Sequence, residues 1–238
     1  MTDSPFSEFG VEGIEKEINA LAESSSFIEA FSLLDSEINR LLTAELTVVL
    51  KKCSGADSGS VNSLTKKELD RINAGLMLKI LSLFGVFAKP VFSRIEHFKS
   101  IRNNVVHEFD EKYPSSALYR KYVRVGVDSE FYDSALNDFE VQQKALNILD
   151  TVYGFKFPEN PSDNDVKKLD GLCTEIRMKQ VKDAANEEAL LLREELRKGL
   201  ELLKEMWNTG SVGKTVQKQE KELQDWIDKK LKESESKS

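Results

Sequence analysis

A chain of 238 residues with 40% hydrophobic content can bury a sizeable core, as one large domain or as a domain with an extension. Five prolines and 12 glycines argue against a loop-rich or all-β design, and a charged fraction of 32% favours long exposed helices, so the expected class is all-α. The formal charge of −7 counts against a large surface built to grip nucleic-acid phosphates but leaves room for a small local site.

Cys53 and Cys173 lie far apart and form neither a metal-type nor a redox pair, so they read as reduced thiols. No metal or cofactor motif is expected. The start, MTDSPFSEFG, lacks a basic flank followed by an apolar core, so no signal peptide is expected. No stretch approaches about 18 uninterrupted apolar residues, the length a membrane span needs. The expectation is a cytoplasmic protein without a membrane partner.

In chain order, a short helix is expected over 8–23. SSSF then opens a longer helix, in which Phe27, Phe31, Leu34, Ile38, Leu41, Leu42, Leu46 and Val49 recur every three or four residues as a buried stripe. GADSGSVNS, residues 55–63, reads as a loop. A third helix runs through Leu69, Ile72, Leu76, Leu78 and Leu81 to about Gly85. Pro90 suits the first turn of a fourth, where its missing N–H costs nothing. That fourth helix carries Phe92, Ile95, Phe98, Ile101, Val105 and Phe109. EKYPSSALYRKYVRVGVDSE gives mixed signals. A fifth helix is expected at roughly 133–153, with Leu136, Phe139, Val141, Leu146, Ile148 and Leu149.

PENPSDND, residues 158–165, is the clearest linker, with two prolines among turn formers. The expected division is therefore a helical bundle over 1–157, a linker over 158–165 and a C-terminal helical extension over 166–238. In the extension Leu192, Leu196, Leu200, Leu203 and Trp207 form a narrow, near-heptad stripe, the coiled-coil-like look of a long helix packing on a partner or folding back on the core. A last helix carries Val216, Leu223, Trp226 and Ile227 and ends in a charged tail. NTGSVGKT, residues 208–215, looks like a phosphate-binding loop but has Asn208 where glycine is required and a helical segment where a strand is required. It reads as a turn between helices.

IRNNVVHEFD, residues 101–110, holds the densest chemistry. At about 100° per residue, Phe98, Ile101, Val105 and Phe109 share one sector, which leaves Asn103 and His107 on the opposite side and Arg102 on the flank. Two asparagines in succession are poor choices for a merely solvated helix face. This Arg-Asn-x-x-x-His pattern, with the helical GLMLKILSLFGVF upstream, resembles the HEPN superfamily of all-α domains. The likeness extends over roughly residues 25–155 in helix pattern and about ten residues in motif. Many members carry a tyrosine two positions past the histidine, where this chain has Phe109 and so lacks that hydroxyl.

The resemblance implies an antiparallel HEPN-like bundle acting as a metal-independent endoribonuclease, of the kind found in toxin–antitoxin and anti-phage systems. It implies a homodimer in which two motif helices face each other and pair Arg102, Asn103 and His107 with their copies. The alternative it carries is a non-catalytic regulatory or protein-binding module similar to mannitol-operon repressors. Histidine can take either proton-transfer role, and arginine matches phosphate oxygens. Arg120, Lys121 and Arg124, in YRKYVR, are candidate RNA contacts beside tyrosines that can stack on bases. The C-terminal helices are the candidate surface for a protein partner such as an antitoxin.

Overall fold

The computed structural model describes residues 11–54, 72 and 74–235. Every regular element among them is an α-helix: α1 Val11–Glu23, α2 Phe27–Ser54, α3 Ala74–Leu83, α4 Lys89–His107, α5 Phe109–Lys112, α6 Pro114–Val125, α7 Ser129–Leu136, α8 Phe139–Thr151, α9 Asp163–Thr209 and α10 Ser211–Glu235. The protein is all-α. The expected loop at 55–63 and the position of Leu69 lie outside the described residues.

The chain forms two compact units, one within Met1–Val106 and Glu194–Ser238, the other His107–Arg193. The last third of α9, from Glu194, thus belongs with α1–α3, α4 as far as Val106, and α10. The 158–165 segment lies inside the second unit, where it connects α8 to α9.

The first unit is organised by α2. All eight residues of the apolar stripe from Phe27 to Val49 are buried. α2 packs on α1, α3 and α10. Its Phe31 stacks on Phe98 of α4 with ring centroids 5.9 Å apart. From α9, Leu196, Leu200, Leu203 and Met206 are buried in the same unit, so the narrow leucine stripe serves the core. α1 ends in a Schellman-type turn: Ser26 N–H donates to the Leu21 carbonyl at 2.8 Å while Ser25 takes φ +60°. α3 ends the same way with Gly85 at φ +63°, its residue of choice because no Cβ crowds a left-handed backbone. On α3 the buried face is Met77, Leu78 and Leu81; Leu76 is 48% exposed because it lies about 200° round from Leu78.

The second unit has two smaller clusters. Tyr122, Phe131 and Val181 form one, and Val141, Ala145, Cys173 and Ile176 the other. The mixed-signal segment resolves into α5, α6 and α7. Asp128 caps α7, its carboxylate accepting from Phe131 N–H, and Asp138 caps α8, accepting from Glu140 and Val141 N–H. That second cap is why the expected helix over 133–153 is divided. Phe139 is 71% exposed: it opens α8 on the side away from Val141, Ala145 and Leu149. α9 starts from Ser162, whose hydroxyl donates to Asp165 at 2.6 Å in a reciprocal cap that holds the Asp165 carboxyl below its usual range.

Candidate functional site

α4 carries the motif. Ile95, Phe98 and Val105 are buried, and Ile101 is half-buried, so the apolar sector lies where its spacing puts it. The helix ends at His107, whereas the sequence reading continued it through Phe109. Glu108 leaves the helical well at φ −125° and ψ 25°, and Phe109 begins α5 as a separate element. His107 is therefore the last residue of α4, and it is exposed.

Asn103 is exposed one helical turn before His107. Arg102 is half-buried and anchored. Its Nε lies 3.4 Å from Asp35 Oδ2 on α2, and its Nη1 donates to Asn103 Oδ1 at 3.1 Å. Lys99, one turn earlier, places Nζ 2.9 Å from Asp35 Oδ1 and 2.8 Å from Asn39 Oδ1. Asp35 therefore faces two cations, with its side chain only 13% exposed. Partly desolvated, such a cluster holds its members more firmly than a surface ion pair worth about 0–1 kcal/mol. Its effect is to fix the guanidinium beside α2 and to orient the Asn103 amide.

Asp35, Asn39 and Lys99 are the residues sequence reasoning missed. The available signal was weak: an aspartate and an asparagine four apart on the flank of a long apolar stripe. Their partner on another helix is a tertiary fact. The other histidine, His97, is exposed and sits 3.5 Å from Glu195.

The three candidate RNA contacts lie on α6 in different settings. The Arg120 guanidinium sits 4.2 Å from the centroid of the Phe109 ring. Lys121 Nζ is 2.7 Å from Asp128 Oδ2; that hydrogen bond raises the lysine above its ordinary value and lowers the aspartate below its own. Arg124 is exposed at the helix end. Of the tyrosines in YRKYVR, Tyr122 is buried with its ring 4.6 Å from Phe131, and burial pushes its hydroxyl up; Tyr119 packs against the same cluster. Their ring faces serve the core of the second unit.

The 208–215 segment is a helix–turn–helix joint at Gly210. The Val212 N–H at the start of α10 donates to Oε1 of Glu45 at 2.8 Å, and Glu45 is fully buried. A protein carboxylate thus occupies the Val212 amide, one that a phosphate-binding loop would turn toward its ligand. Gly210 is required there because a Cβ would collide with Glu45 Oε1 and the Met206 carbonyl.

Among the described residues no helix is long and apolar enough to cross a membrane, and no group of three or more His, Cys, Asp or Glu is placed to hold a metal ion. Comparison with protein-family models, curated proteins and solved structures finds no match for this chain.

Proposed function

We propose that this protein is a HEPN-type, metal-independent endoribonuclease that works in the cytoplasm as a homodimer through its α4 helices, as a toxin or an anti-phage or stress effector. The observation that supports it most is the state of the motif: Asn103 and His107 are exposed on the side of α4 its core does not use. Arg102 on the same helix is held in a defined position by Asp35 and Asn103. Preorganised cations and donors are what a developing phosphorane charge requires.

In this reading the His107 imidazole takes the proton from a ribose 2′-OH as that oxygen attacks the adjacent phosphorus. Arg102, with Asn103, stabilises the charge on the non-bridging oxygens. The departing 5′-oxygen needs a proton from an acid. One chain supplies a single histidine in the motif, so a second copy supplies the other, which ties activity to dimerisation. Arg120, Lys121 and Arg124 remain candidate contacts to the RNA backbone, with Lys121 and Arg124 exposed.

A second reading has its own support. The engagement of Arg102 with Asp35 also suits a guanidinium used to brace α4 on α2 in a non-catalytic, mannitol-repressor-like module. Leu223 and Trp226, 40% and 58% exposed on α10, would then meet a protein partner, an antitoxin among them.

Total RNA incubated in EDTA with wild type, His107→Ala and Arg102→Ala separates the two. The ribonuclease reading expects cleavage by wild type and a loss of about 10²-fold or more in each variant, with helical content and dimer retained. No cleavage by wild type across the protein concentrations at which it dimerises would leave the binding module.

A further inference from the structure

The second unit contains an open cleft of about 490 Å³, apart from every residue assigned above and lined by Leu149, Tyr153, Phe155, Lys168, Gly171 and Glu175, with Lys167 and Leu172 completing it. We propose that this cleft is a binding site for a planar aromatic anion of one or two rings.

The chain builds one wall at the end of α8. Gly154, at φ +61°, ends that helix in an αL-type turn, its N–H donating to the Asp150 carbonyl at 3.1 Å, while Phe155 N–H donates to the Leu149 carbonyl at 2.9 Å. The turn fixes Tyr153 and Phe155 on either side of one glycine, and Tyr153 is left 68% exposed. The other wall is the first turns of α9. Lys167, Gly171 and Glu175 follow at four-residue intervals along one line of the helix, so about 12 Å separates the ends of that line. Lys168 stands beside it with Nζ 4.8 Å from the centroid of the Phe155 ring.

Gly171 carries the argument. A glycine inside a helix costs about 0.5–1 kcal/mol relative to alanine, so its place needs a reason. A Cβ there would meet nothing within 4 Å. Packing therefore does not require it. What its missing side chain leaves is the open floor between the lysines and Glu175. The volume is in the range of small-molecule sites, the floor is apolar at Leu149 and Leu172, and Lys167 and Lys168 line it in a chain of net charge −7. An anionic group fits at Lys167 and Lys168, and a ring fits along Tyr153, Phe155 and the Gly171 gap, where stacking and apolar contact favour a flat body over a bulky one. Glu175 at the far end accepts from any N–H the ring carries.

The test uses 8-anilinonaphthalene-1-sulfonate, an aromatic sulfonate whose fluorescence rises on binding. Titrated into the folded full-length chain, it is expected to saturate at one site per chain. Naphthalene-1-sulfonate displaces it and inorganic phosphate at equal concentration does not. Lys168→Gln weakens binding about tenfold, as loss of one charge-assisted contact does. Gly171→Leu, whose Cβ meets nothing within 4 Å, removes binding while circular dichroism shows the helical content of wild type. Equal binding by wild type and Gly171→Leu, or displacement by phosphate as effective as by the aromatic sulfonate, would overturn the assignment.

Discussion

Gly171 and Gly199 both lie inside α9, and sequence alone treats them alike. At Gly199 a Cβ would come within 2.7 Å of Leu34 and 2.8 Å of Phe98, side chains that form the core of the first unit. At Gly171 a Cβ would touch nothing within 4 Å. One glycine lets helices approach, and the other holds open a cleft. A helix interior tolerates the residue for opposite reasons, and only the neighbours tell which applies.

The most damaging change to either site is Gly199→Ala. The added methyl must push Leu34 or Phe98 out of well-packed positions, a cost of about 1–3 kcal/mol that the better helix propensity of alanine offsets only in part. The expected result in urea denaturation is a lower midpoint with the slope unchanged. A neutral outcome would mean that Leu34 and Phe98 have room to move, and the contrast between the glycines would collapse.

A smaller effect of opposite sign is expected from Gly171→Ala. With no neighbour to displace, it should stabilise the chain by about 0.5–1 kcal/mol. Destabilisation would show that the cleft is closed by groups the structure leaves apart.

Thiol labelling provides the gentlest probe of the same region. Cys53 is exposed, while Cys173, two residues beyond Gly171, is buried, and that burial, with a smaller contribution from Asp170, pushes its thiol above the ordinary value. The thiolate is the reactive form, so raising its pKa lowers the reactive fraction at neutral pH. One thiol per chain should label quickly at pH 7.5 and the second slowly, gaining rate as pH rises above about 8.5 or when denaturant opens the cluster with Val141, Ala145 and Ile176. Gly171→Ala should slow that second phase further. Equal rates for both thiols would place Cys173 at the surface.

Much of the fold was legible because it rests on local periodicity. The α2 stripe, the start of α4 at Pro90 and the burial of Leu192, Leu196, Leu200 and Leu203 follow from spacing alone. What was missed has a common cause. The break at Glu108, the exposed Phe139 and the assignment of the last third of α9 to the first unit depend on caps and on which helices meet. The site divides along the same line. The exposure of Asn103 and His107 was readable from helix geometry. The anchoring of Arg102 on Asp35, shared with Lys99, was not, because its partner lies on α2.

The central claim is that His107 acts in a site completed by its own copy, and mixing tests it most directly. Wild type at fixed concentration is equilibrated with a threefold excess of His107→Ala, and RNA cleavage is measured in EDTA. If each site needs a histidine from both chains, only about a quarter of wild-type chains find a competent partner, and cleavage falls in proportion. Cleavage that stays unchanged per wild-type chain, or that persists in His107→Ala alone, would contradict the account.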